Sequence, residues 1–545
     1  MSQFEILTPC STLVRIIGDK DIFEKSVDYL IEERLIERRG NYFRAAYHAD
    51  KCRRLVEMLM AFGFDELELY RNLVMNMHDI ELHELINFLL ILTLWKNAIA
   101  KNLLSDIELR ECIMNSLRNR KNANLFFKYG IILSFIEMYE NALECFEEAT
   151  DIKLDFEEAW VNKGETLRRL GRYNEAIECF NKAIEINPEC EEAWYNKGVA
   201  LDDLGKHHEA IKCYDKVIEE INPESEEAWY NKGITLVKLG KYKEAIECFE
   251  RTIEKNPKDE GAWINKGAAL IVLGKPEKAV ECFDEVIYKI NPESEEAWVN
   301  KGVSLFNLGR YEEAIACYDR VIRKINPESE KAWLNKGIAL GMRCHRFVEE
   351  DLMEEAEKCI KQALECFKKA IQIDPQDIDA LKNMLIALFD LRRILVSLDR
   401  MEEIAKYTQY YDIIIEVKPD HTQAWLEKAL TLINYSRTLT KKGKKEEAEK
   451  TLKEALKCLK KTTELNPKLA KAWHALGLVY LMLDEEREVE RCLGKLAPLD
   501  PKLYNDLLIK LMKKWKENEK QTNKTNANNK NIHNKQHTPK TNTPT

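Results

Sequence analysis

The 545-residue sequence is short of the residues that interrupt regular structure, with only 20 Gly and 14 Pro. With 33% charged and 45% apolar residues, this scarcity leans towards helix. Long apolar runs are missing too. The most apolar stretch, residues 86–95 (INFLLILTLW), is about half the ~20 residues a bilayer helix needs and reads as a buried helix, so no membrane partner is expected. The start, MSQFEILTPCSTLVRIIG, lacks the basic and apolar segments of a secretory signal, which places the expected location in the cytoplasm. Positive charge is not in excess: the formal net charge is −10, which argues against a nucleic-acid binder working through bulk electrostatics. No Gly-rich phosphate loop, nucleophile elbow, zinc signature or paired-carboxylate arrangement is found. The expectation is therefore no enzyme, no cofactor and no metal.

What the chain has is a repeat. Tryptophans fall at 160, 194, 229, 263, 298 and 333, in steps of 34, 35, 34, 35 and 35, and each opens the phrase W-x-N-K-G. Trp160, Gly164, Leu167 and Gly171 lie on one stripe of a 3.6-residue period. After a turn at Gly171-Arg172, Ala176, Cys179, Phe180 and Ala183 mark a second helix, which Asn187-Pro188 ends. The unit is a helical hairpin of about 34 residues, with Gly164 and Ala176 small enough for close approach and Trp160 and Phe180 filling the space beside them.

The segment WVNKGETLRRLGRYNEAIECFNKAIEINP resembles a tetratricopeptide repeat, with its Gly, Tyr, Ala, Phe and Pro landmarks in register. The resemblance implies an all-α, right-handed superhelical solenoid. Weaker units extend it both ways, giving about ten near 123–156, 157–190, 191–225, 226–259, 260–294, 295–329, 330–377, 378–421, 422–469 and 470–501. In two late units each helix gains seven residues, two full turns, which keeps the facing stripes in register; the unit after Leu381 is irregular. A capping helix is expected at 502–517, and the Asn/Thr/Lys-rich residues 518–545 have too little to bury and should be disordered. Residues 1–122 read as an α-helical region of divergent hairpins, or as a small winged-helix-like domain with strands around Arg39-Gly40-Asn41.

Of fifteen cysteines, nine (145, 179, 213, 248, 282, 317, 366, 458 and 492) occupy one place in the second helix. Stacked repeats set equivalent atoms about 10 Å apart, too far for disulfides, so they read as small buried hydrophobes.

The resemblance further implies a concave groove lined by positions one, five and eight after each Trp. The candidates there are Tyr195, Tyr230, Ile234, Val237, Ile264, Ile271, Val299, Val303 and Phe306, an apolar floor. Beside it runs an Asn ladder, Asn162, Asn196, Asn231, Asn265, Asn300 and Asn335, able either to grip a peptide backbone or to tie neighbouring repeats. The following lysines, from Lys163 to Lys336, read as stems covering the core edge. Glu158, Glu192, Glu227 and Glu296 make the rim acidic. Cochaperone repeats of this family bind acidic C-termini through a Lys-containing clamp; this chain has Val, Tyr, Ile or Leu at the clamp's first Lys. The expected partner is a protein or peptide segment with apolar anchors and basic residues, held by an interaction scaffold. The alternatives are a regulator with a DNA-binding N-terminal region and an array whose groove is filled by its own chain.

Overall fold

The computed structural model describes residues 97–517, four positions ahead of them (Ile86, Leu89, Leu90 and Thr93) and three short strands. The strands, β1 (Glu5–Pro9), β2 (Ile36–Arg39) and β3 (Tyr42–Ala46), form an antiparallel sheet in the order β1-β3-β2. Strands rather than helix therefore stand at these segments of the N-terminal region, with β2 and β3 paired from Ile36 opposite Ala45 to Arg39 opposite Tyr42. The rest of residues 1–96 and residues 518–545, expected to be helical and disordered respectively, lie outside the described residues.

Two compact units divide the chain, Met1–Ala262 and Trp263–Thr545. From residue 123 onward each is a run of helical hairpins. In the first, Glu157–Arg169 packs on Tyr173–Ile186, Glu191–Asp203 on His207–Lys216, and Glu226–Lys238 on Tyr242–Lys255. In the second, Glu295–Asn307 packs on Tyr311–Arg320, and the lengthened pairs Glu330–Glu349 with Met353–Ile373 and Thr422–Lys441 with Lys445–Leu465 follow. The long helices have 20 and 21 residues against 13 and 14 in Glu157–Arg169 and Tyr173–Ile186, the expected gain of seven each. Ile378–Ser397 is followed by a 3₁₀ stretch, Met401–Tyr407, at the irregular unit.

One contact recurs inside the hairpins. The ring of Phe180 lies flat against Gly164, where a Cβ would stand 2.6 Å from the ring. Tyr214 does the same at Gly198 and Phe249 at Gly233; in the second unit Tyr318 sits on Gly302 and Phe367 on Gly337. The small residue thus seats an aromatic ring rather than only letting two backbones approach. The tryptophans, by contrast, are half-buried clamps. Trp194, Trp229, Trp298 and Trp333 each donate the indole N–H to a proline carbonyl six residues earlier, at 2.9–3.1 Å. This is the physical reason for the constant Pro-to-Trp spacing.

Units of 34 and 35 residues differ at one place. Asn187 N–H donates to Ala183 and Asn256 N–H to Thr252, four residues back. In the 35-residue units the last turn is a π turn, Val217–Ile221, Val286–Ile290 and Val321–Ile325, and Asn222, Asn291 and Asn326 reach five residues back to Val217, Val286 and Val321. The extra residue is absorbed there.

The Asn of an Asn-Pro also ties the end of a hairpin back to its start. Its amide donates to a glutamate that opens the same hairpin: Asn187 to Glu157, Asn222 to Glu191, Asn256 to Glu226 and Asn326 to Glu295, at 2.8–3.0 Å. The joint after Ile373 differs, because Asp374 stands where the joints at 187, 222, 256 and 326 have Asn. Glu330 faces Asp374 and Asp377 instead of an amide. Glu330 Oε1 and Asp377 Oδ2 are buried with no hydrogen-bond partner among the described residues. Burial, then the carboxyls of Asp377 and Asp374, push Glu330 up to about 7, with Lys331 offsetting in part.

Two predictions follow from this packing. Gly233→Ala should destabilise the chain by about 1–3 kcal/mol through forced displacement of Phe249. Gly341→Ala, in a helix with nothing within 4 Å of the new methyl, should be neutral or stabilising; urea midpoints compare the two. At the acidic joint, Glu330 takes up its proton more readily folded than unfolded, since about 7 exceeds the usual 4.5. Its contribution is therefore present at low pH and lost as pH rises through about 7. Asp374→Asn with Asp377→Asn should raise the melting temperature at pH 8 by about 2–4 °C and flatten its pH dependence between 5 and 8.

Candidate peptide-binding face

On the first unit the apolar residues one, five and eight after Trp194 and Trp229 lie on the first helices, whereas after Trp160 these positions are the buried Val161 and the ion-paired Glu165 and Arg168. Tyr195, Val199, Tyr230, Ile234 and Val237 are half-buried and pack against the hairpin cores beneath them. Tyr230 meets the buried Phe249 edge-on, with ring centroids 6.0 Å apart, and Tyr195 meets Tyr214 at 6.3 Å. The floor is thus an outer layer resting on the aromatic rings that the glycines seat.

Two members of the Asn ladder are committed within the fold. Asn231 Nδ2 donates to the Tyr195 hydroxyl at 2.9 Å and to the Glu227 carbonyl at 3.0 Å. Asn162 Nδ2 donates to the Glu158 carbonyl at 2.8 Å. Of the two roles considered for this row, the tie to a neighbouring repeat is the one made at Asn231. Asn196, Asn265, Asn300 and Asn335 are half-buried at the equivalent positions.

At one edge of this face the charges form a network that sequence spacing did not reveal. Arg168 bridges Glu165 (2.7 and 2.8 Å) and Asp203 (2.9 Å), and Asp202 bonds His207 (2.7 Å) and Lys238 (2.6 Å). Burial works against the Asp202 carboxylate, but Lys238 and His207 outweigh it and hold it below its ordinary range. Glu192 goes the other way: burial, then the carboxylates of Glu157 and Glu165, push it up. Glu158, Glu192 and Glu227 are exposed along the rim, so the border of the apolar floor is rich in incompletely compensated negative charge.

On the second unit Ile271, Val303, Phe306, Leu334 and Ile338 are half-buried, with the Phe306 ring 5.5 Å from Tyr311. Two candidates are corrected. Ile264 and Val299 are 5% and 6% exposed and belong to the core, where these shorter side chains are covered, while the larger Tyr195 and Tyr230 stay half-buried.

The lysines three residues after each Trp are fixed by the fold. Lys163, Lys197, Lys232, Lys266, Lys301 and Lys336 lie over their own Trp rings at 5.0–5.5 Å. Lys232 pairs with Asp215, Lys301 with Asp284 and Lys336 with Asp319, at 2.6–2.7 Å. Burial opposes the Lys301 ammonium, yet Asp284 raises it above its ordinary value. Cys179, Cys213, Cys248 and Cys317 are buried, and burial pushes each up to about 11. Buried thiols of this kind are packing groups. No cluster of three or more His, Cys, Asp or Glu able to hold a metal occurs among the described residues. A separate cleft of about 430 Å³ lies in the second unit over Ile315, Trp333 and Leu340. It is bordered by Lys336, Arg343 and Lys361, each of which already has a carboxylate partner. Among the described residues, no helix is long and apolar enough to cross a membrane.

Stacked helical hairpins, most of them seating an aromatic on a glycine, define a helical-repeat solenoid. Residues 123–324 of the chain are tetratricopeptide repeats: models described as "Tetratricopeptide repeat" match residues 123–156, 157–190, 191–221, 226–259 and 295–324. The model described as "Regulator of microtubule dynamics protein 1-3" matches residues 338–517, starting in the first lengthened unit. No curated protein matches the chain. Among solved structures, the chain is similar to YrrB, titled a TPR protein with an unusual peptide-binding site, at 26% identity over 38% of this chain and 97% of that one, with a TM-score of 0.30. A tetratricopeptide repeat protein from Parabacteroides merdae gives 18% identity, 49% and 98% coverage and a TM-score of 0.37. The C-terminal part of a TPR repeat-containing protein from Cytophaga hutchinsonii gives 16%, 47% and 99%, and 0.40.

Tyr195→Phe should cost about 1 kcal/mol of stability by removing the acceptor of the Asn231 amide, measured by urea unfolding. A midpoint equal to that of the unaltered chain would show the Asn231 amide to be unimportant between repeats.

Proposed function

We propose that the chain is a protein-interaction scaffold that holds a polypeptide segment on the first-helix faces of its repeats. The observation that carries this is the half-buried apolar row Tyr195, Val199, Tyr230, Ile234 and Val237 beside the exposed carboxylates of Glu158, Glu192 and Glu227. A row of this kind on an outer face favours apolar anchors, and its border favours Lys or Arg between them. With the Asn231 and Asn162 amides already donating within the protein, recognition rests more on side-chain anchors than on the ligand's backbone. In the second unit Ile271, Val303, Phe306 and Ile338 offer a more apolar surface for the same kind of ligand.

Selection from a random peptide library on the full chain tests this reading. Ligands combining apolar and basic residues are expected, and Tyr230→Ser with Ile234→Ser should weaken them at least about tenfold, the cost of losing roughly 1.4 kcal/mol of anchoring. Acid-rich ligands, or apolar–basic ligands indifferent to both substitutions while circular dichroism shows the fold intact, would falsify it. Because residues 338–517 match a family named for regulators of microtubule dynamics, microtubules belong among the partners assayed in parallel.

A further inference from the structure

The last helix, residues 501–517, closes the second unit with Leu507 and Leu511 buried and Leu503, Tyr504 and Leu508 packed beside them. The end of a repeat array ordinarily turns a polar face to water. Here that outer side carries large apolar residues: Ile509 is 53%, Met512 49% and Trp515 41% exposed. They recur at i, i+3 and i+6, interleaved with exposed Lys510, Lys513 and Lys516, and Lys502 lies exposed about two turns before them. Lys510 pairs with Asp506 and Lys514 with Asp484, whereas Lys502, Lys513 and Lys516 make no ion pair among the described residues.

The charge of the sequence is divided in the same place. From residue 502 onward there are ten lysines against three acidic residues, Asp506, Glu517 and Glu519, a formal +7 in a chain of −10; residues 1–501 therefore carry −17. This end is the basic pole of an acidic protein.

We propose that the outer face of this helix, with the basic residues that follow it, docks on an anionic membrane surface. Separate apolar tips set between lysines suit the boundary between headgroups and acyl chains, where Ile509, Met512 and Trp515 lose contact with water and lysines stay among anionic headgroups. The Asn- and Thr-rich residues 518–545 hold five further lysines, which add to the positive charge that an anionic surface attracts. The contact is peripheral, and it adds a class of partner that the apolar runs of the sequence did not suggest.

Co-sedimentation of the full chain with vesicles provides the test, comparing phosphatidylcholine alone with phosphatidylcholine containing about 30 mol % phosphatidylserine. Binding at least about tenfold stronger to the anionic vesicles, and largely lost at about 0.5 M salt, is expected. Lys502→Glu, Lys513→Glu and Lys516→Glu together should abolish it, and Ile509→Ser, Met512→Ser and Trp515→Ser together should weaken it severalfold. All six positions are exposed, and an unchanged melting curve confirms that the fold persists. The proposal is overturned by no binding to anionic vesicles, by equal binding to both compositions, or by binding that survives the lysine changes. It is equally overturned if the serine variant binds as well as the unaltered chain, or if soluble polyglutamate strips the protein from vesicles at equal charge, which identifies an acidic polypeptide as the partner.

Discussion

An aromatic ring pressed on a glycine holds the hairpins between residues 123 and 373 together, and most of the other features depend on that contact. With Phe180 flat on Gly164, and Phe249 on Gly233, the two helices of a hairpin come close enough for the alanines beside them to be fully buried. The ring is then a fixed floor for the next layer outward. Tyr230 rests edge-on against Phe249, and Tyr195 against Tyr214, so the candidate binding surface is positioned by the same rings that close the core. Preorganised apolar surface of this sort binds without first ordering its own side chains.

A second layer of constraints sits at the joints between hairpins. Asn326 accepts the backbone N–H of Glu328 and donates its amide to Glu295 at the start of the same hairpin, as Asn187, Asn222 and Asn256 do at theirs. The Trp that follows caps the proline carbonyl, and the lysine one turn later covers the indole. Residues that look like separate motifs are parts of one device. Changing Asn to Asp at residue 374 keeps the turn, since Asp374 still accepts from the N–H of Gln376, but removes the donor and sets carboxylates against one another.

Much of this was legible in the sequence because the repeat period, the turn glycines and the seven-residue extensions follow directly from helix geometry. The bonding of the Asn ladder was not, because an amide on a helix surface can serve its own helix, a neighbour or a ligand from the same position; at Asn231 the tie depends on Tyr195 occurring one unit earlier. The burial of Ile264 and Val299 was hidden because the position after Trp lies at the boundary between groove and core, where Tyr195 and Tyr230 stay half-buried. The strands at residues 36–46 were foreseen only as an alternative, since a short apolar run does not by itself separate strand from helix.

The π turn at the end of the 35-residue units gives the architecture a tolerance in length. An inserted residue in a regular helix rotates everything after it by about 100° and would carry the next binding face out of line. Taken up at Val217–Ile221, the insertion is spent as one wider loop of backbone, and Asn222, Pro223 and Trp229 resume the roles of Asn187, Pro188 and Trp194. Single-residue gains and losses at this site leave the first-helix faces of the repeats in place, so the coding length of a repeat and the shape it displays can drift independently.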